Sequence, residues 1–158
     1  MAEKKTSSIA VNKKAHFNYE ILDTWEAGII LTGPEVKSLR AGRAQIAESY
    51  VAPESGRLML VNAYIAEYDS SKGGFIEQNA RRPRELLLHQ KELTKLIIAV
   101  RQKGQTIVPL DLYFNGRGIA KVKIALCVGK NVRDKRDTIK QREWKRDQGR
   151  IMRHYNNK

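Results

Sequence analysis

The chain has 158 residues, of which 41% are hydrophobic and 30% are charged. This composition is sufficient for one compact core and excludes a wholly disordered chain. The 30 Lys and Arg residues against 17 Asp and Glu give a net charge of +13. Such an excess favours a polyanionic partner, with nucleic acid preferred over an anionic membrane surface. The single cysteine, Cys127, excludes an internal disulfide framework, and its apolar surroundings predict a buried, inert thiol.

Two features of the sequence bear on cellular location. No apolar stretch approaches the ~20 residues that a membrane-spanning helix needs. The polar segment at residues 1–8 lacks the hydrophobic centre of a signal peptide. A cytoplasmic protein with no membrane partner is therefore expected.

Most of the chain has the alternating or short apolar runs that are typical of β-strands. The predicted strands are residues 9–11, 17–21, 27–32, 49–52, 57–68, 106–114 and 119–128. Residues 53–56 form a turn signal between two of them, and Asn115-Gly116 is expected to supply the positive φ angles of another turn.

Two helices interrupt these strands. The first begins at Gly33-Pro34-Glu35 and ends before Gly42, since proline suits the first helical position and an acid suits the first turn. The second covers about residues 89–103, where apolar residues recur with helical spacing. Many short strands with added helices and no βαβ alternation predict a mainly β protein with a closed or nearly closed antiparallel barrel. The unpatterned segment 69–84 is either a functional loop or disordered.

The charge distribution predicts two regions. Residues 129–158 contain 11 Lys and Arg against 4 Asp and Glu, and few apolar residues. We therefore expect a folded body over residues 1–128 and a basic tail over 129–158. The apolar stripe of the tail is too narrow to pack firmly on the body, so we predict that the tail is disordered alone and helical when bound.

Nothing in the sequence requires catalysis, a metal or a cofactor. The three histidines are scattered, no Gly-rich phosphate loop is present, and no serine has the surroundings of a nucleophile. The distinctive features are binding features, and no catalytic residue is predicted.

Two basic groups in the body are candidate phosphate contacts. Lys37 and Arg40 share a face of the first helix, with Arg43 just after it. Lys121 and Lys123 share one face of a strand while Val122 points to the core. An ordinary solvated helix face is the alternative for the first group, and edge-strand lysines that block aggregation are the alternative for the second.

The tail has a basic side and an apolar side when it is drawn as a helix over residues 135–155. Four arginines make the basic stripe, and Trp144 and Ile151 lie roughly opposite, with Met152 beside them. A merely solubilising tail is the alternative, but it would need no large apolar side chains.

Several segments together resemble the SmpB family of SsrA-binding proteins along nearly the whole chain. They are IAVNKKA (9–15), EAGIILTG (26–33), EVKSLRAG (35–42), LLLHQKEL (86–93), KVKIAL (121–126), GK (129–130) and DKR (134–136). The resemblance implies an OB-fold-like β-barrel with added helices and a tail that is unstructured when free. It also implies a non-catalytic adaptor that binds the tRNA-like domain of transfer-messenger RNA and delivers it to stalled ribosomes.

The resemblance carries over particular residues. In the body, the implied RNA-binding positions are Asn12, Glu26 and Leu87, with Lys121 and Lys123 nearby. In the tail, the resemblance implies ribosome-interacting residues, with the tail entering the decoding region and the mRNA channel beyond it. These tail residues are Gly129, Lys130, Asp134, Lys135, Arg136, Ile151 and Met152. Trp144 is added to them because it lies on the apolar side of the predicted tail helix.

Two positions depart from the family pattern. Arg133 stands where His or Tyr is common, and its guanidinium retains the ability to stack on a base. Glu85 stands where Lys or Arg usually precedes the three leucines, which weakens the case for one phosphate contact. A monomer is expected. The alternatives are a structural RNA-binding protein of the ribosome and an RNA-processing enzyme.

Overall fold

A computed structural model describes residues 7–68, 79–102, 104–129 and 132–156. It contains nine strands and four helices within these ranges. The strands are β1 (Ser7–Val11), β2 (Tyr19–Ile29), β3 (Ala44–Gln45), β4 (Tyr50–Glu54), β5 (Arg57–Val61), β6 (Tyr64–Ile65), β7 (Arg84–Leu87), β8 (Gln105–Phe114) and β9 (Ala120–Gly129). The helices are α1 (Ala15–Asn18), α2 (Gly33–Arg40), α3 (Gln90–Val100) and α4 (Val132–Asn156).

The main sheet closes on itself. Its strand order is β1-β8-β4-β5-β7-β2-β9, and β9 also pairs with β8. Every pairing is antiparallel, so six strands form a ring and β1 is added outside it on β8. This closure confirms the predicted mainly β, OB-fold-like barrel with added helices. The short strands β3 and β6 form a separate two-stranded sheet.

The main core lies inside the barrel. Alternating residues of the strands fill it, including Leu58, Leu60, Ile107, Val122 and Ile124, all of which are fully buried. Leu96 of α3 is buried in the same cluster, as the predicted amphipathic pattern requires.

A second, smaller core covers the outside of the sheet near α1. It contains Ala15, Val108, Leu110, Ala125 and Cys127. Because both faces of β9 are covered there, this strand is a continuous apolar run beyond Ile124. The Cys127 thiol is buried as predicted, and burial raises its pKa to about 11.

The first long strand differs from the sequence prediction. Residues 17–18 belong to the helical turn α1, and one continuous strand, β2, replaces the two strands predicted at 17–21 and 27–32. A bulge after Ile21 places Leu22 on the exposed side. The bulge interrupts the alternation, and this is why one strand reads as two fragments. The strand ends at Ile29, and Thr32 instead caps α2.

Two further elements were missed or misread. The predicted strand at 57–68 is divided into β5 and β6. Strand β7 begins at Arg84, at the end of the segment predicted as a loop; residues 69–78 of that segment lie outside the described residues.

In the β8–β9 turn, the positive φ belongs to Gly118 rather than to Asn115-Gly116. The Asn115 carboxamide oxygen instead accepts hydrogen bonds from the backbone N–H groups of Arg117 and Ile119.

Candidate nucleic-acid interface

A row of paired residues crosses four strands on the outside of the barrel. Tyr113 of β8 is the register partner of Lys121 of β9, Lys121 is the partner of Gly28 of β2, and Gly28 is the partner of Leu87 of β7. Paired residues in adjacent strands point to the same face of a sheet. The row therefore brings together residues from distant parts of the sequence.

A second row lies two residues along the same face. Glu26 of β2 is paired with Lys123 of β9. Both side chains are exposed, whereas Val122, between the two lysines, is fully buried. The prediction that Lys121 and Lys123 share the outer face is thus confirmed, and Glu26 and Leu87 are found beside them.

Gly28 creates a depression in the first row. The surrounding pocket has a volume of about 500 Å³, and both polar and apolar side chains line it. It is lined by Glu26, Gly28, Leu87, Leu88, His89, Glu92 and Lys121. A Cβ atom at position 28 would lie 3.3 Å from the Cβ of Leu87, so the missing side chain allows the two strands' outer surfaces to meet closely. Half of Leu87 stays exposed at the rim, although it is a large apolar residue.

The carboxylate of Glu26 has a defined partner. The Tyr113 hydroxyl donates a hydrogen bond to Oε2 of Glu26. Burial, and then the nearby Glu26 carboxylate, raise the pKa of Tyr113, so its phenol remains a protonated donor at neutral pH. Sequence reasoning did not select Tyr113, because an aromatic residue in a strand is usually a packing residue.

Asn12 lies in a different place. Its side chain is buried, its Nδ2 donates to the Pro109 carbonyl at 3.0 Å, and its backbone N–H donates to the Leu110 carbonyl. Its Oδ1 has no hydrogen-bond partner among the described residues. It lines a pocket of about 150 Å³ together with Asn18, Ser49 and Tyr50. The structure therefore does not bring Asn12 into the Glu26–Leu87 pocket.

The cations of α2 form a third location. Lys37 and Arg40 are exposed, and the Lys37 ammonium lies 5.3 Å from the centre of the Tyr68 ring. Neither residue lines the two pockets described above. Glu35 of this helix accepts hydrogen bonds from the guanidinium groups of Arg82 and Arg84, and these bonds hold the helix in place.

The tail residues are in or next to α4. Gly129 ends β9, and Lys130 lies outside the described residues. Asp134 and Lys135 belong to α4, and Arg136 is exposed there. The apolar side chains of the helix are also exposed, at 63% for Trp144, 57% for Ile151 and 69% for Met152. These values fit the prediction that the stripe is too narrow to pack on the body.

Helix α4 contacts the body at α1. The Arg142 guanidinium lies 5.8 Å from the centre of the Phe17 ring in α1. A helix over the predicted segment is thus observed. That the tail is disordered in the free protein stays a prediction.

Neither a metal site nor a membrane-spanning helix is found among the described residues. Within them, no three His, Cys, Asp or Glu side chains come together as a metal site would require. No helix in the same ranges is both long enough and apolar enough to cross a bilayer.

The closed barrel, its basic outer face and the basic helix after it define a class: a basic OB-fold-like protein with an added charged tail. A family model described as "SmpB protein" matches residues 9–154, and the chain belongs to this family. The resemblance inferred from the sequence motifs is confirmed.

Named relatives agree with this assignment. The chain is 53% identical to an SsrA-binding protein of Rhodopseudomonas palustris (strain BisB18), covering 97% of this chain and 98% of the relative. It is 52% identical to an SsrA-binding protein of Sphingomonas elodea, covering 94% and 92%. A solved structure described as "tmRNA-SmpB: a journey to the center of the bacterial ribosome" is similar with a TM-score of 0.63 and 48% identity, covering 82% of this chain and 87% of that one.

Proposed function

We propose that this chain is a non-catalytic adaptor that binds the tRNA-like domain of transfer-messenger RNA and delivers it to stalled ribosomes for trans-translation. The relatives are named as SsrA-binding proteins, and the similar solved structure joins the same family to that RNA and the ribosome. The observation that carries the proposal is the outer barrel face around Gly28. It combines a carboxylate acceptor, two cations and an exposed leucine in one surface.

The proposed RNA contacts follow from this chemistry. Lys121 and Lys123 attract phosphates, and Leu87 offers an apolar surface to a base or sugar. Glu26 accepts a hydrogen bond from a base or from a 2′-hydroxyl group, which a cation cannot do. Asn12 acts from the second pocket, through the carboxamide oxygen that has no described protein partner. Lys37 and Arg40 add phosphate contacts from α2.

The proposed role of the tail is separate. Gly129, Lys130, Asp134, Lys135 and Arg136 contact the decoding region of the ribosome, and α4 continues into the mRNA channel. A helix of 25 residues is about 37 Å long, enough to reach well beyond the body. The exposed Trp144, Ile151 and Met152 then supply apolar contacts that the free protein does not use. We propose that the protein works in the cytoplasm as a monomer.

A charge-controlled substitution tests the proposed RNA surface. Glu26→Lys adds a cation, so a purely electrostatic surface would bind RNA more tightly. A direct acceptor contact instead predicts a loss of about 1–3 kcal/mol. Glu20→Lys is the matched control, because Glu20 is an exposed acid of the same strand and its partner is Val128, away from the pocket.

Filter binding to the tRNA-like domain at two salt concentrations measures both variants. We expect Glu26→Lys to weaken binding while Glu20→Lys preserves or strengthens it. Unchanged or tighter binding by Glu26→Lys would contradict a direct contact. Sequencing the RNA that copurifies with the protein tests the identity of the partner. A structural ribosomal protein would instead remain on the subunits through a high-salt wash, and an enzyme would turn over its substrate.

A further inference from the structure

The link between Tyr113 and Glu26 passes over a strand. Tyr113 is in β8 and Glu26 is in β2, and both strands pair with β9, which lies between them. Adjacent strands are ~4.8 Å apart, so the two backbones are separated by about 10 Å. The tyrosine and glutamate side chains together span this distance across β9, and the Tyr113 hydroxyl donates to one oxygen of the carboxylate.

The surroundings of Glu26 explain why such a link matters. Its side chain is exposed, and its cross-strand neighbour is Lys123, with Lys121 diagonally opposite. Even so, none of the Lys and Arg side chains in the described part of the chain lies within 4.0 Å of the Glu26 carboxylate. An unheld glutamate on an open strand would sample several rotamers, which would add an ordering cost to each binding event.

We propose that Tyr113 is a positioning residue, which fixes the Glu26 carboxylate at the edge of the Gly28 pocket and leaves its second oxygen free for a hydrogen-bond donor of the bound RNA. The inference rests on the proposed function and deepens it. The phenol acts through Glu26 and need not touch the RNA. Because the Tyr113 hydroxyl holds one carboxylate oxygen, Glu26 does not form an ion pair with Lys121 or Lys123. The two lysines therefore remain available to phosphates.

A double-substitution experiment separates positioning from a general structural role. Binding of the tRNA-like domain is measured for the full chain, Tyr113→Phe, Glu26→Ala and the double variant. Tyr113→Phe removes one oxygen atom and retains the ring. We expect it to weaken binding about fivefold, the effect of one hydrogen bond. In the Glu26→Ala background the same change should have no further effect, because there is no carboxylate left to position.

Two further measurements sharpen the test. The slope of log affinity against log salt should be unchanged by Tyr113→Phe, since no phosphate contact is removed. Tyr64→Phe is the matched control, because Tyr64 lies in the small β3–β6 sheet and its ring faces Arg81. The control should bind like the unsubstituted chain.

The outcomes distinguish the inference from the function on which it rests. If Glu26→Ala weakens binding but Tyr113→Phe does not, the inference alone is wrong. An equal loss from Tyr113→Phe in both backgrounds also overturns it, because the phenol would then act without Glu26. If the unsubstituted chain does not bind the RNA, or if Glu26→Ala binds normally, the proposed RNA surface is wrong and the inference fails with it.

Discussion

Glu35 is the residue on which several parts of the body depend. Its carboxylate accepts hydrogen bonds from Arg82 and Arg84, and also from the backbone N–H of Thr32 in a capping box at the start of α2. Arg84 is fully buried and also donates to the carbonyls of Ala63 and Ala80. One carboxylate thereby joins α2, the start of β7 and the segment before it.

The protonation of Glu35 should therefore control stability. Burial on its own would raise the pKa of this carboxyl, but the hydrogen bonds from Arg82, Thr32 and Arg84 outweigh it and lower the pKa below the ordinary 4.5. A lowered native pKa means that the ionised form stabilises the fold at all pH values above about 4.5. The contribution is lost as the pH falls through the native pKa.

Glu35→Gln should reduce the free energy of unfolding by about 3 kcal/mol at pH 7, because it leaves a buried guanidinium without its counter-charge. The difference from the unsubstituted chain should shrink as the pH falls below about 4.5 and through the lowered native pKa, because the ionised form of Glu35 then loses its stabilising effect. Urea unfolding at pH 7 and at pH 3.5 measures this, with Glu20→Gln as an exposed control. A difference that is equal at both pH values would show that the charge of Glu35 is not what stabilises the fold.

The burial of Arg84 could not be predicted from the sequence. Arg84 is the last residue of the unpatterned segment 69–84, which the sequence predicts as a functional loop or as disordered. It is in fact buried in β7, because Glu35, remote in sequence, neutralises it. Local composition cannot reveal that pairing, which depends on how α2 packs near β7.

The β4–β5 hairpin gives a direct test of how turn residues affect stability. Ser55 has φ 50° and Gly56 has φ 78°, so both central residues of this two-residue turn are left-handed. Asn tolerates this conformation better than Ser, and Ala tolerates it worse than Gly.

Ser55→Asn should therefore stabilise the protein by about 0.5 kcal/mol, and Gly56→Ala should destabilise it by about 1 kcal/mol. For a chain of this size the melting temperature should move by about 3 °C for each kcal/mol. Thermal unfolding followed by circular dichroism measures both shifts. Shifts of the same sign in both variants would contradict the left-handed turn.

Elements with a strong period were predicted well, and those shaped by distant contacts were not. Helices α2 and α3 were found because their apolar spacing and capping residues are local signals. Strand β2 was read as two pieces because of its bulge, and α1 was missed because a four-residue helical turn has no period to detect. The Lys121 and Lys123 face was likewise a local signal, but the arrival of Glu26 and Leu87 beside it requires the pairing of β2 with both β9 and β7.

The body and the tail of the protein differ in how they are packed. The body has a closed barrel with a continuous core, whereas the described side chains of α4 are mostly exposed. If RNA binding belongs to the body, residues 1–128 alone should bind the tRNA-like domain nearly as tightly as the full chain. Filter binding with the two proteins side by side measures this, and a large loss of affinity on removing 129–158 would contradict it.

The complementary change leaves the body intact and alters the tail. Replacing Asp134, Lys135 and Arg136 together by Ala should keep RNA affinity within about threefold, because the proposed contacts lie on the barrel. Tagging of proteins on stalled ribosomes should nonetheless collapse. On the proposal that the free tail is disordered, it becomes ordered against ribosomal RNA, and only good contacts can offset the conformational entropy that is lost.

Two controls decide what the tail contributes. Trp144→Ala, and Ile151→Ala combined with Met152→Ala, should also abolish tagging if the exposed apolar side of α4 docks on the ribosome. Normal tagging by these variants would mean that the charged residues act without the apolar stripe. NMR of the free protein should show sharp, poorly dispersed amide signals after Gly129. If the triple alanine variant instead loses RNA binding, the division between a binding body and an acting tail is wrong, because the tail would then be part of the RNA site.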